Sequence, residues 1–304
     1  MKAVSYQALI ACLLLTLTLI GCTDPSQTEP AHKDKQPMNT STNANTPVSI
    51  SLFEPVTSWQ AKFPKMQINK QPAGLNFYSA DFETMLKHPV TLRFEFGRHS
   101  FSIPAVLGVM GTEDIDFPTE HIADLLISSG LTEGKEEMHD QARQAFFKLL
   151  DDIVKAGWKP YLYTTYPRLT AKEILRRVIK KDLDAALNLR PEYKPTLEEW
   201  MQLPDDISWN FHANHIRLEI ALSHDITKRD PQKPGAYFMS ITIRPMTHAM
   251  QDGMKPEERR DWRAVQAKLQ PKYQAIRAEA EAKEKAAGHQ IDTDYQDPPM
   301  PPEH

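Results

Sequence analysis

His212-Ala-Asn-His215 holds the side chains best spaced for chemistry in this sequence. Two imidazoles three residues apart in a tight turn can converge on one metal ion, and His224-Asp225 follows with two more ligand types. A zinc-activated water there would make the chain a hydrolase. The competing reading is structural. Alternating stretches flank the motif, and an Asn at their junction suits a hairpin turn without any metal. Glu136, Glu137, His139 and Asp140 form a second cluster, at the start of a helical pattern. Their order is not H-E-x-x-H, and acidic groups suit the positive end of a helix, so a solvated first turn is expected. Residues 130–136, GLTEGKE, have neither the glycine spacing nor the Ser or Thr of a phosphate loop, and no G-x-S-x-G stretch occurs. Asp114/Asp116 and Asp205/Asp206 suit turns and caps. The reading is of a binding protein without a cofactor, not an enzyme.

Candidate recognition residues are easier to find. Tyr163, Tyr166 and Arg168 cluster with Trp158 and Tyr161 around one short segment, and Tyr, Trp and Arg are the residue types favoured as interface anchors. Residues 224–235, HDITKRDPQKPG, make a long polar loop carrying Lys228 and Arg229, where two to five residues would join adjacent strands. Loops of that length on a rigid sheet often carry recognition. The bland alternative for the tyrosines is core packing.

The elements that must position these residues follow from periodicity. Residues 90–96, VTLRFEF, alternate as a half-buried strand, and 100–109 reads as its return, with Pro104 marking an edge or a bulge. Residues 138–158 form the clearest amphipathic helix, with Gly157 as its stop. Residues 159–165 read as a short strand. Thr170/Glu173 and Thr196/Glu199 have capping-box spacing and open two further helices, the first expected to reach Leu187. Residues 122–127 are apolar, and Ser128-Ser129-Gly130 reads as the C-cap of a helix. Residues 207–211, 216–222 and 237–243 alternate as three strands. The expected class is α+β, a mostly antiparallel sheet with helices packed on one face. Residues 256–304 add a charged, alanine-rich helix, broken or kinked at Pro271, and a Pro-rich tail expected to be disordered or extended.

The first residues decide the compartment. Lys2 precedes an apolar run of about a dozen residues, too short to span a bilayer and right for a secretory signal. Leu19-Ile20-Gly21-Cys22 resembles the lipobox of bacterial lipoproteins. That resemblance implies a signal peptide over 1–21, cleavage before Cys22 and lipid on its sulfur. Thr23, where inner-membrane lipoproteins often carry Asp, implies the outer membrane, facing the periplasm. One acyl chain binds a membrane marginally, whereas two or three hold it stably. Cys12 leaves with the signal and Cys22 is lipidated, so the domain has no thiol for a disulfide or a nucleophile. Residues 22–48 contain little that is apolar and read as a flexible tether, and 49–255 as the globular domain. After the signal is removed, 35 Lys and Arg stand against 40 Asp and Glu, about −5, with no basic stripe for nucleic acid.

Four phrases carry a second resemblance: QARQAFFKLLDDIVKAGW at 141–158, YPRLTAKE at 166–173, TLEEWM at 196–201 and GAYFMSITIRP at 235–245. They look like uncharacterised bacterial lipoproteins associated with type VI secretion, some of which are periplasmic immunity proteins that block a toxic effector. The resemblance covers roughly residues 90–245 and carries over no functional residue. It implies a protein partner, either a toxic effector or an envelope component. The rival functions are a metal-dependent envelope hydrolase using His212 and His215, and a structural envelope component docking through the C-terminal helix.

Overall fold

The computed structural model describes residues 47–80 and 82–302. The signal segment, Cys22 and the tether through residue 46 lie outside the described residues. The described chain opens with a strand, β1 (Val48–Ile50).

The first half of the domain is built around one long strand. In chain order come α1 (Val56–Lys62), β2 (Gln67–Lys70), β3 (Leu75–Ser79), α2 (Phe82–Lys87), β4 (Val90–Phe94), β5 (Phe101–Asp114) and β6 (Ile122–Ser129). β5 pairs along one edge with β4 and then β3, and along its other edge with β6. It changes partner after a bulge: Val90 faces Val106 while Leu92 faces Ile103, and Ala105, just after Pro104, has φ 50. The proline thus marks a bulge. Residues 122–129 are a central strand and not the helix expected from 122–130. A short apolar run does not reveal its period, and here every second side chain from Leu125 to Ser129 is buried.

The second half comprises β7 (Glu137–Met138), α3 (His139–Lys155), β8 (Lys159–Pro160), α4 (Ala171–Ile179), α5 (Leu183–Ala186), α6 (Leu197–Met201), β9 (Ile207–Ala213), β10 (Ile216–His224), β11 (Pro234–Gly235) and β12 (Tyr237–Pro245). The strand order is β1-β4-β5-β6-β12-β10-β9-β8, with β3 beside β5 and β2 beside β3. β1 runs parallel to β4, and every other ladder of this sheet is antiparallel. The fold is α+β with a large, mostly antiparallel sheet.

Alternation sends Ile127, Ile241, Ile220 and Trp209, matched across four neighbouring strands, to one face. α3 closes that face. Phe146 packs on Trp209 with ring centroids 4.6 Å apart and planes tilted by 60°, and Trp158, beyond Gly157 (φ 88), packs against both Phe94 and Phe101. The Trp158 indole donates to the His99 carbonyl at 2.8 Å, so its one polar atom is satisfied. Only two residues of the expected 159–165 strand pair as β8.

The helix expected to run from Thr170 to Leu187 is two. The chain turns at Lys181 (φ 65), and Asp182 caps α5 by accepting from the amides of Asp184 and Ala185. The Thr196–Glu199 capping box forms, but Thr170 makes no side-chain cap bond. Glu173 turns instead toward Arg176 and His289.

Gly111 shows how closely β5 is covered. A Cβ there would lie 2.6 Å from Ile122 Cγ2 and 2.9 Å from Trp59, the fully buried residue of α1. Neither neighbour can retreat, so Gly111→Ala is expected to cost about 2 kcal/mol by overpacking, read as a lower urea midpoint at unchanged slope.

The chain ends in α7 (Met246–Gln251), α8 (Pro256–Arg260) and α9 (Trp262–Ala286). α9 continues through Pro271 and does not break there. Beyond Gly288 (φ 84) the chain reverses and follows the helix back. Ile291 bridges to Leu169, and the Pro301 carbonyl accepts from Arg263 near the start of α9. The tail is extended, as one of its two expected forms, and it is bonded to the domain. No described helix is long and apolar enough to cross a membrane.

Candidate interaction site

Tyr163, Tyr166 and Arg168 come together, and what they hold is the chain's own C-terminal segment. Arg168 grips Glu281 of α9 in a two-pronged pair at 2.7 and 2.9 Å, and its backbone amide donates to the same carboxylate at 3.1 Å. Arg277 of α9 donates to the carbonyls of Tyr163 and Tyr166, both at 3.0 Å. Tyr166 is buried and is no surface anchor; burial pushes its phenol well above the ordinary range. Arg177 binds Glu284, Arg190 binds Asp292 at 2.6 Å, and the Tyr295 hydroxyl accepts from the Leu162 amide at 2.8 Å. His289 lies between Glu284 and Glu173. Of the three expected anchors, Tyr166 is buried while Tyr163 and Arg168 are half-buried, and all three contact the strap formed by residues 262–302.

That strap is held by polar contacts. The buried side chains of α9 are Gln266, Arg277 and Glu281, with no apolar residue among them. Ile291 and Tyr295 are the large apolar side chains that the strap buries among the described residues. Each contributes about 1.5–3 kcal/mol, and partly exposed ion pairs contribute up to about 1 kcal/mol each.

Beneath the strap lies a cluster that the sequence reading missed. Arg217 of β10 points away from the apolar face, between Tyr161 and Tyr163, whose ring centroids are 5.1 and 4.8 Å from its guanidinium carbon. Its Nη2 donates to the Tyr163 hydroxyl at 2.5 Å, Asn210 at 2.9 Å and Glu219 at 3.2 Å. Burial works against this charge, and the tyrosines and Glu219 hold it. In sequence Arg217 sits at an ordinary outward position of an alternating strand. Nothing local signals that a second layer buries it.

His212 lies in β9, and His215 lies in the turn that joins β9 to β10. The two turn residues, Asn214 (φ 42) and His215 (φ 64), give the doubly left-handed turn that favours Asn. His212 faces Lys159 across the β8–β9 ladder. Burial, with Lys159 and His215 nearby, lowers its pKa to about 4. His224 ends β10, nine residues along, so about 27 Å separates it from the hairpin. It cannot complete a site there. Among the described residues no three His, Cys, Asp or Glu side chains converge on a metal position.

The 224–235 loop is pinned at several points. Lys228 pairs with Glu136. Arg229 turns inward, donating to the Leu203 carbonyl at 3.0 Å and to His224 Nε2 at 2.7 Å. Pro234-Gly235 pairs with Glu137-Met138 as a second small sheet. This lid buries Glu137 and His139, which overturns the solvated first turn expected for them. Burial pushes the Glu137 carboxyl up, against the lowering effect of its hydrogen bond from Thr132. A directed chain runs beneath the lid. The Asp230 carbonyl can only accept, so His139 Nε2 donates to it at 3.2 Å, and Nδ1 of the neutral ring accepts the Tyr237 proton at 2.6 Å. The Tyr237 oxygen in turn accepts from the Trp200 indole at 2.9 Å. Tyr237→Phe strands both the indole and the imidazole. It is expected to destabilise the domain by about 2–3 kcal/mol and to quicken proteolytic cleavage within residues 225–233.

Met138 and Ile226 are exposed at this end and, with Lys228 and Glu136, give the lid an apolar and charged exterior. Phe238 is also exposed, but it alternates with Tyr237 and so lies on the opposite face of the sheet. No family model, curated protein or solved structure matches the chain.

Proposed function

We propose that this chain is a lipoprotein, anchored in the bacterial outer membrane through lipid on Cys22, whose domain binds another protein on the periplasmic side. The observation that carries the reading is the apolar run closing on Leu19-Ile20-Gly21-Cys22. Immunity to a type VI secretion effector, or accessory work for one, is the specific form suggested by the four phrases within residues 90–245. Support for binding comes from the lid, where Met138 and Ile226 lie exposed near Lys228 and Glu136, and from Phe238, exposed on the opposite face of the same sheet end. A domain acting this way works sterically, and affinity rests on a few desolvated anchors more than on area.

The test begins with the anchor. Cells expressing the full chain and fed an alkyne-bearing fatty acid should label it, and Cys22→Ser should abolish the label and release the protein from the membrane fraction. Labelling that persists in Cys22→Ser, or an unmodified Cys22 in the wild type, overturns the reading. The binding half is tested by photo-crosslinkers placed at Ile226 and Phe238 of the membrane-bound protein. Discrete adducts with an effector or an envelope protein are expected, and adducts only with lipid would overturn it.

A further inference from the structure

The strap covers the residue types best suited to bind a partner, and it does so with contacts that a partner can copy. Arg168, Arg177 and Arg190 of the domain meet Glu281, Glu284 and Asp292 of the strap. Glu281 and Glu284 are three residues apart, on one face of a helix, which is the spacing that addresses two arginines at once. Beneath these pairs lie Tyr163, Tyr166 and Leu169. The fully buried side chains of α9 are polar, and its Trp262, Val265, Leu269 and Tyr273 are only half-buried, so lifting it exposes less apolar surface than opening the sheet would. Segments held in this way form low-stability units that open ahead of a sheet.

We propose that the surface under the strap is a protein-binding surface, that the strap occupies it in the unbound molecule, and that its partner supplies an acidic helix with carboxylates three residues apart. The strap is then an internal competitor. Binding requires its release, and the affinity of the partner is reduced by the fraction of molecules in which the surface is covered. This rests on the protein-binding reading above, but not on lipidation. The Cys22 label and the experiment below fail independently.

Hydrogen exchange on the full wild-type chain is the first measurement. Amides of α9 should exchange as one block, well ahead of those in β9 and β10, and at least about tenfold faster in 0.5 M NaCl than in 0.05 M, because salt screens partly exposed ion pairs. Exchange of α9 together with β10, or indifferent to salt, overturns the proposal. The second measurement adds a labelled synthetic peptide of residues 262–302 in trans to the full chain carrying Glu281→Ala and Glu284→Ala, which frees the arginines without adding charge. Expected is binding at least about tenfold tighter than to the wild type, lost when the peptide carries the same two alanines. Equal binding to both proteins, or none to either, overturns it. So does a wild-type dimer formed by exchanged straps in ultracentrifugation, which would assign the surface to a second copy. Unchanged protection of β9 and β10 amides in the variant certifies its fold.

Discussion

Arg217→Ala is expected to be among the most damaging single changes in this domain, at about 3–5 kcal/mol of stability. The reason is the setting of the group and not the count of its bonds. The Arg217 side chain is 8 % exposed and its partner Glu219 17 %. Removing the guanidinium leaves the Glu219 carboxylate, the Asn210 carbonyl oxygen and two tyrosine faces with nothing to meet, in a layer that little water reaches. Arg217→Lys should recover less than half of the loss, because an ammonium cannot lie flat between two rings and still reach Tyr163 and Asn210. Equilibrium urea unfolding of the three proteins is the check. A loss below about 1 kcal/mol for Arg217→Ala would mean that the cluster behaves as an exposed ion pair.

The second large effect is a dependence on pH with two limbs of opposite sign. His248 of α7 sits between Asp124 at 2.9 Å and Glu120 at 2.8 Å. Burial alone would lower its pKa, but the two hydrogen-bonded carboxylates outweigh burial and raise it to about 9. The folded state therefore binds this proton more tightly than the unfolded chain. The stability it confers is fully present below about pH 6.5 and is lost as pH rises toward 9, by about 3 kcal/mol. His212 behaves in reverse. Burial and the nearby Lys159 lower its pKa to about 4, so the unfolded chain binds that proton more tightly. Its contribution is intact above about pH 6.5 and falls away toward pH 4, by about 2 kcal/mol after allowance for remaining solvent contact. Urea midpoints from pH 4 to 9 should show His248→Gln flattening the alkaline limb and His212→Gln the acid limb. If either variant keeps the wild-type slope on its own limb, that histidine does not titrate as described.

What could be read in advance, and what could not, follows from how far each interaction reaches along the chain. Local rules located α3, stopped at Gly157, and the strands β9, β10 and β12, because a period of two or 3.6 is written in neighbouring residues. They also offered the turn at Asn214-His215, on the strength of the Asn, as one of two readings beside a metal site. The compartment is likewise a sequence-level inference: the features that speak for lipidation all lie within residues 2–23, and nothing in the folded domain bears on it.

Tertiary structure decided the rest. Residues 122–129 could pack as helix or strand until β5 and β12 claimed both edges, so the apolar run alone misled. Tyr163, Tyr166 and Arg168 stood out by residue type, but what they meet did not: Glu281 lies 113 residues from Arg168, and no local pattern records such a pair. Arg217 and His139 look like surface positions in their own elements. Each is buried by a segment from elsewhere in the chain, the first beneath the second layer and the second under the lid. Periodicity reports which face of an element is apolar. Only the assembled chain shows which polar faces are also covered, because that depends on charges meeting across long loops and not on the order of neighbours.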